Sequence, residues 1–218
     1  PSAPESEQPV PVQPTLIAHA TLLAALTASA HGAIVSATPG TIVRSTPQFL
    51  VTSGSFGPQF AHTWTERQAL PVSGVAVDNV GNTGNSTNNA TPGLITGVVD
   101  VHMIHKEPHW PLGSGGLQGT VTFDKPVVGV MWNASTLIAS DATCSAGTSY
   151  GTSPSRGIDV GVEWVVVSGS TVSFDLTHGN FPHATYSEIR VLTAVPTPGA
   201  TGLLLAGGAL TLARRRRR

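Results

Sequence analysis

Short runs of β-branched and aromatic residues recur along the middle of the chain and constrain the fold more than any other feature. Turn-forming residues separate one run from the next, as in proteins built from many short strands. No stretch between Ile34 and Thr193 carries the helical period of about 3.6 residues over a useful length. The pattern predicts an all-β domain over residues 34–194, with two antiparallel sheets packed as a β-sandwich or jelly roll. The clearest runs are TIVRS, QFLVTS, GVAVDNV, LITGVVDVHMIH, GTVTFDKPVVGVMW, GIDVGVEWVVV, STVSFDL and SEIRVLT.

Two turn signals and the spacing of large apolar residues refine this prediction. Asp124-Lys125-Pro126 and Ser168-Gly169-Ser170 are each flanked by strand-forming residues, and we expect a hairpin at both positions. Residues on the inner faces of the two sheets should form the core. The expected core residues are Phe123, Val128, Val130, Trp132, Trp164, Val166, Phe174, Ile189 and Val191.

The composition excludes several classes of protein. Only 11% of residues are charged, and 24 Gly and 17 Pro are present, which is typical of an extracellular, turn-rich β-protein. The net charge is -1, and Arg214–Arg218 account for five of the 11 basic residues, so the domain has no basic face for nucleic acid. Cys144 is the single cysteine, which rules out a disulfide within the chain and a thiolate zinc cluster.

Residues 1–33 have the features of a leader that contains a signal peptide. An apolar run extends from Leu16 to Leu26 without a charged residue. Ala28 and Ala30 after this run match the small-residue pattern of a secretory cleavage site. We therefore expect an N-terminal signal helix and export of the domain that follows.

Residues 195–218 have three parts in a fixed order. A proline-containing motif comes first, a short apolar run from Thr201 to Ala213 follows, and five arginines end the sequence. The apolar run predicts a short transmembrane helix, near the lower limit of length for a membrane span. The arginines would stop transfer and stay on the cytoplasmic side, which leaves the domain outside. The motif consists of Val195, Pro196, Thr197, Pro198 and Gly199, and the stop-transfer residues are Arg214, Arg215, Arg216, Arg217 and Arg218.

This three-part layout resembles the PEP-CTERM sorting signal, which exosortases read in bacteria that make exopolysaccharide. The usual middle residue of the family's motif is Glu, whereas this chain has Thr197. The resemblance implies an exosortase-type processing enzyme as a partner and transient anchoring in the inner membrane. It further implies delivery to the cell envelope or extracellular matrix and contact with exopolysaccharide. Jelly-roll bodies are common in the family, and VTFDKPVVGVMW followed by SEIRVL is similar to them.

The segment DVHMIHKEPHWP contains the best candidates for chemistry. On an extended strand, Asp100 and His102 share one face, and His105, Glu107 and His109 share the other. The second set could bind zinc through two imidazoles and a carboxylate, but its spacing matches no known zinc signature. The interpretation that we favour is a solvated edge strand with a polar face. We therefore expect no metal and no cofactor.

Two other motifs suggest chemistry and are not favoured. Gly147, Ser149 and Gly151 match the G-x-S-x-G pattern of a hydrolase, but neither flank predicts the strand and helix that this motif requires. DNVGNTGNSTNNAT, which begins at Asp78, predicts a long surface loop. This loop has too few acidic residues for a calcium site.

Exposed tryptophans would point to carbohydrate binding instead. Trp64 and Trp110 lie outside the strongest strand runs and could offer flat apolar faces to sugar rings. The sequence as a whole predicts an exported envelope or matrix protein without enzymatic activity. A carbohydrate-binding β-sandwich module is the alternative, and a metal-dependent hydrolase is a distant third.

Overall fold

The computed structural model describes residues 32–45, 50–51, 55–57, 59–81, 83–107, 116–151, 156–176 and 186–195. Strands dominate this part of the chain, and they are numbered here in chain order. A five-stranded sheet has the order β1 (Ile34–Ala37), β8 (Gln118–Phe123), β12 (Thr171–Asp175), β11 (Trp164–Ser168), β6 (Thr83–Ser86). A six-stranded sheet has the order β2 (Thr41–Val43), β4 (Ala61–Val77), β7 (Gly93–Lys106), β13 (Ser187–Ala194), β9 (Val127–Met131), β5 (Asn79–Val80).

Three smaller elements complete the described fold. β3 (Leu50–Val51) and β10 (Ser149–Tyr150) form a short parallel pair. A 3-10 helix spans Thr87–Asn89, and the α-helix α1 spans Ala134–Cys144.

The two large sheets pack face to face over one apolar core. Their inner residues alternate along the strands with residues that point away from the core, as expected for a sandwich. The prediction of an all-β domain is therefore confirmed. The buried residues of this core are Ala61, Ile104, Val121, Phe123, Val127, Val130, Trp132, Val165, Val167, Val172, Phe174, Leu176, Ile189 and Val191.

The outer face of the six-stranded sheet is curled around α1. Only Asp78 separates the end of β4 from β5, yet β5 pairs with β9, which lies three strands away from β4 in the sheet. A Cβ added to Gly129 on β9 would come within 2.9 Å of Val77 on β4, so the two strands approach closely. A second apolar cluster fills the concave side: Leu70, Val72, Val77, Val99, Val101, Met131, Leu137, Cys144 and Leu192.

The helix α1 was not predicted, and the expectation of a helix-free domain is wrong. Its sequence, ASTLIASDATC, buries only Leu137, Ser140 and Cys144, so it carries too narrow an apolar stripe to be recognised. Asp78, which lies between β4 and β5, holds the start of the helix. Its carboxylate accepts hydrogen bonds from the backbone N–H of Trp132 at 2.6 Å and of Asn133 at 2.8 Å. The hydroxyl of Thr136 donates to it at 2.8 Å.

Two predicted connections differ in the structure. The long surface loop expected from Asp78 onward instead contains β5, β6 and the 3-10 helix, because short backbone pairings with β9 and β11 order this polar segment. The turn at Asp124–Pro126 links β8 to β9, which belong to different sheets, so it is not a hairpin. The hairpin at Ser168–Ser170 is confirmed, with Ser168 paired to Thr171.

The predicted core is largely correct, with one error of register. Phe123, Val130, Trp132, Phe174, Ile189 and Val191 are buried. On β11 the buried residues are Val165 and Val167, whereas Trp164 and Val166 are only half-buried. Four apolar residues in succession leave the inward face undetermined, because alternation alone cannot choose between the two sets. Val128 is also half-buried and packs against the second apolar cluster, which surrounds α1.

Candidate functional site: a buried charge cluster

The polar residues of β7 lie on opposite faces of the six-stranded sheet, as the sequence predicts. His102 faces the five-stranded sheet, with its ring centroid 4.6 Å from that of Phe123. His105 faces the other side, with its ring centroid 5.2 Å from that of Phe56. Its Nε2 lies 3.4 Å from Glu107 Oε1, so this pair shares a face. The strand ends at Lys106, and His109 lies outside the described residues.

The expectation of a solvated edge strand is wrong. β7 lies in the interior of the sheet between β4 and β13, and the side chain of His105 is 0% exposed. These polar residues can be buried because they bind one another and residues of the neighbouring strands. Buried groups of this kind are stable only when they are paired.

A connected set of charged side chains occupies this outer face, next to α1. Four of its members come from three neighbouring strands, one directly follows the end of β7, and the helix and the segment after β10 supply one each. We call this set the charge cluster. It consists of Glu66, His105, Glu107, Asp141, Arg156, Glu188 and Arg190, of which all but Asp141 are buried.

Strand pairing and a β-bulge place these side chains close to one another. Glu188 pairs directly with His105 across β13 and β7, and Arg190 follows two residues later on the same face. Glu66 lies between Thr65 and Arg67, where the β4–β7 register shifts. A β-bulge of this kind turns a side chain to a new direction. It places Glu66 opposite Arg190, although 124 residues separate them.

Arg190 is the best-connected residue of the cluster. Its Nε donates to Glu66 Oε2 at 2.7 Å and its Nη2 to Glu66 Oε1 at 3.1 Å, a bidentate pair. The same side chain binds Asp141 Oδ1 at 2.9 Å and the carbonyl oxygen of Leu137 at 3.1 Å. Burial opposes its charge, but the negative charge and hydrogen bond of Glu66, with further contributions from Tyr150 and Asp141, together outweigh burial, and the pKa of Arg190 is raised. This one guanidinium therefore joins β4, β13 and α1.

Arg156 makes a second bridge between the same helix and β13. It donates to both Asp141 and Glu188, with Nη2 at 3.0 Å from Asp141 Oδ1. Its guanidinium carbon also lies 4.4 Å from the ring centroid of Tyr150, a cation–π distance. Tyr150 in turn donates its hydroxyl to Glu66. Burial and the neighbouring Glu66 raise the pKa of Tyr150, so the phenol stays protonated.

His105 lies between two carboxylates. Its Nδ1 is 3.1 Å from Glu188 Oε1, and its Nε2 is 3.4 Å from Glu107 Oε1. Glu107 also accepts a hydrogen bond from the backbone N–H of Ser55 at 2.9 Å. Burial opposes protonation of His105, but the hydrogen bonds to Glu107 and Glu188 and their negative charge outweigh it. The pKa of His105 is therefore raised above its ordinary value.

The histidine on the opposite face has the reverse electrostatics. The two ring nitrogens of His102 bind the hydroxyls of Thr65 at 3.0 Å and Thr193 at 3.1 Å. Burial lowers the pKa of His102 to about 3, because the negative charge of Asp124 raises this pKa too little to offset the loss of water. His102 is therefore a neutral, fully hydrogen-bonded core residue.

The two histidines give the unfolding free energy opposite pH dependences. Because the pKa of His105 is raised in the folded state, His105 contributes fully to the free energy of unfolding below pH ~6.5. This contribution is lost as the pH rises through the folded-state pKa of His105. Replacing His105 with Gln should remove that loss. The matched variant His102→Gln should instead remove a loss on acidification between pH ~6.5 and about 3. Urea titrations at a series of pH values test both slopes, and identical slopes in the two variants would contradict the assignment.

The chemistry open to the charge cluster is limited by its burial and its pairing. Four carboxyl groups face two guanidiniums and one imidazole, and these groups bind one another. Among the described residues, no three or more His, Cys, Asp or Glu side chains are arranged to hold a metal ion. The arrangement is suited to holding α1 and β10 on the sheet.

Most of the cluster was missed by reasoning from the sequence. His105 and Glu107 were singled out as weak metal candidates, but Glu66, Asp141, Arg156, Glu188 and Arg190 were not. One signal was present in SEIRVL, where Glu188 and Arg190 occupy alternate positions of an otherwise apolar strand. Two charges on one face of such a strand indicate a buried partner.

Trp64, one of the two tryptophans proposed for sugar binding, is buried and does not offer its ring to a sugar. Trp64 is 0% exposed and packs with Val51 and Met103 on the outer face of the sheet. The expectation that its ring is exposed is wrong, because β4 lies inside the sheet at this point and its outer face is covered. Trp110 lies outside the described residues, and its role stays a prediction.

In the described residues, the hydrolase-like motif follows a helix rather than preceding one. Ser149 belongs to β10, which follows α1 and pairs in parallel with β3. A nucleophile elbow needs a sharp turn from a strand into a helix, and the order here is reversed. Cys144 at the end of α1 is buried, and burial raises the pKa of its thiol to about 11, which makes it unreactive.

A groove of about 450 Å³ runs between α1 and the second half of β4. It is lined by uncharged residues: Pro71, Val72, Ser73, Gly74, Val75, Ala76, Thr136, Ala139, Ser140 and Thr143. None of the lining residues that the structure describes carries a charged, imidazole or thiol side chain.

The remaining predicted sites fall beyond the described residues. They are the cleavage residues Ala28 and Ala30, the motif after Val195, and Arg214–Arg218. Within the described part of the chain, no helix has the length and apolar character needed to cross a membrane. In comparisons with known proteins, no family, no curated protein and no solved structure matches this chain.

Proposed function

We propose that this chain is an exported protein of the cell envelope or extracellular matrix, without enzymatic activity. Sorting by an exosortase-type route delivers it, and it associates with exopolysaccharide. The observation that carries the proposal is the three-part order of residues 195–218: the Pro-x-Pro-Gly motif, the apolar run and the arginines. The leader in residues 1–33 agrees with the same route.

The position of the motif relative to the folded domain supports this proposal. The last strand of the described part of the chain, β13, ends at Ala194, and the motif begins at Val195. The backbone N–H of Val195 donates to the carbonyl oxygen of Val98 at 3.2 Å, so the domain extends to the first motif residue. A processing enzyme at the membrane would therefore meet the motif directly beside the folded body.

A structural role for the body is supported by how its charged residues are used. All members of the charge cluster except Asp141 are buried, and they bind one another. A jelly-roll arrangement is part of the proposal as well. Consecutive strands from β6 to β9 alternate between the two sheets, as strands do in jelly rolls. A signal helix and a transmembrane helix would flank this body in the unprocessed chain.

Replacing Pro196 and Pro198 with Ala tests the sorting route. Proline stiffens the extended backbone that an enzyme would read, whereas a plain membrane anchor needs only apolar length and flanking charge. In a host with an exosortase, we expect the unmutated chain to lose its tail and the double variant to stay uncleaved in the inner membrane. Thr197→Glu is the matched control, since it installs the family's usual residue and should keep processing intact.

Two further results bear on this proposal. Deleting Arg214–Arg218 should also prevent processing, because the short apolar run would no longer stop in the membrane. Mass spectrometry of the mature envelope protein then identifies which residues remain. Peptides from residues 202–214 in that fraction would mean that the tail is a permanent anchor and that the sorting route is wrong.

A further inference from the structure

The second half of β4 and the first half of β7 form a two-stranded arm. Residues 70–77 pair with residues 93–99, and one face of this arm packs against the cluster around α1. The opposite face consists of three cross-strand pairs, and all six residues are exposed. We call these residues the arm face: Pro71, Ser73, Ala76, Leu94, Thr96 and Val98.

The arm face is uncharged and mostly apolar, with two hydroxyl side chains, Ser73 and Thr96, among its six residues. Leu94 is 67% exposed and Val98 is 40% exposed, although both lie on a regular strand. Neither stretch of the arm, 69–77 or 91–99, contains Asp, Glu, Lys or Arg. Exposed strand surfaces usually carry charges that discourage association, so an apolar and uncharged face of this kind marks an interaction surface.

The ends of the described chain meet the arm beside this face. Val195 continues the pairing of β13 with β7 by its hydrogen bond to Val98. Because β13 runs antiparallel to β7, the chain leaves Val195 in the direction from Val98 toward Leu94. Gly32, at the other end, donates its backbone N–H to Asp100, which lies two residues from Val98 on the same face of β7.

Covalent geometry limits the distance between this exit point and the apolar tail. Five residues, 196–200, separate Val195 from Thr201, where the apolar run begins. Even a fully extended chain spans only ~21 Å over that stretch. If the tail is inserted in the membrane, the arm must lie close to the bilayer surface.

We propose that the arm face rests on the outer surface of the inner-membrane bilayer while the tail is inserted. This inference depends on the proposed function, because the inserted tail brings the arm to the lipid. Leu94 and Val98 would enter the boundary between headgroups and acyl chains, where the burial of apolar side chains lowers the free energy. Since the arm is uncharged, docking does not require anionic lipid and does not weaken as salt increases.

Site-specific quenching in proteoliposomes tests the proposal with the full chain. Leu94→Cys, combined with Cys144→Ala, carries a fluorophore and is reconstituted in phosphatidylcholine vesicles that contain a nitroxide-labelled lipid. The matched control is Val160→Cys in the same background. Val160 is 38% exposed and lies near Gly157, whose carbonyl oxygen binds Glu188 at the opposite end of β13. We expect several-fold stronger quenching at position 94 than at position 160, and loss of this difference when Val98→Glu is added.

Flotation of the vesicles distinguishes a failure of the proposed sorting route from a failure of the docking proposal alone. A chain that does not float with lipid has no inserted tail, which overturns the proposed route and the docking together. A chain that floats but is quenched equally at both positions overturns the docking alone. A parallel sample of the same variant is left without the fluorophore and treated with an added oxidant. A disulfide between two copies at position 94 in that sample, without quenching by the lipid in the labelled one, would instead identify the arm face as a contact between copies of the chain and would also overturn the proposal.

Discussion

Replacing Arg190 with Met is expected to lower the free energy of unfolding by about 3–5 kcal/mol. The guanidinium is fully buried and neutralises Glu66, which is 2% exposed. Removing it leaves the Glu66 carboxylate in a site without water, and it breaks the hydrogen bonds to Leu137 and Asp141 on α1. Urea denaturation followed by circular dichroism measures the loss.

A matched control uses an exposed arginine that contacts the same helix. Arg67 is exposed, and its Nη1 donates to the carbonyl oxygen of Thr143 at 2.8 Å. Arg67→Met should cost under about 1 kcal/mol, since an exposed side chain exchanges that bond for water. Adding Glu66→Gln to Arg190→Met should recover part of the loss, because no unpaired carboxylate then remains at that position. Equal losses for the two arginine variants would mean that the charge cluster is open to water.

Replacing Trp132 with Ala should destabilise the domain by about 3–5 kcal/mol. The ring is 3% exposed and belongs to the core between the two sheets. Its loss would leave a cavity in this core that rigid strands cannot close. Thermal or urea unfolding of the purified domain measures this effect.

Trp164 offers the comparison for this second prediction. It lies on β11 but is only half-buried, because the neighbouring Val165 occupies the inward position. Trp164→Ala should therefore cost about 1 kcal/mol or less. If Trp164→Ala is the more damaging variant, β11 is inserted with the opposite face toward the core.

Local patterns were enough to predict much of the fold. The β-branched runs became strands, the Gly169 turn became a hairpin, and Trp132 entered the core. These features depend on neighbours within a few residues, where backbone preference and alternation act directly. The faces of β7 were predictable for the same reason, since His102 and His105 differ by an odd number of positions.

The candidate site could be predicted only in part. The His105–Glu107 pair follows from strand alternation, but Glu66 reaches Arg190 only through a bulge and a pairing across 124 residues. Burial was misjudged because a polar strand is usually an edge strand. β7 is flanked on both sides, so its polar residues are buried and paired.

The sequence by itself determined the strand content, most of the core and the separation of the two polar faces of β7, because each follows from side-chain period and local turn chemistry. It also carries the three-part tail on which the proposed route depends. Only the tertiary structure decided that residues 134–144 form a helix, which has too weak an apolar stripe to be recognised and is held by Asp78 and the concave sheet. Tertiary structure also decided which valines of β11 face inward and which carboxylates meet Arg156 and Arg190. Long-range pairing makes these choices, because the local free energies of the alternatives are nearly equal.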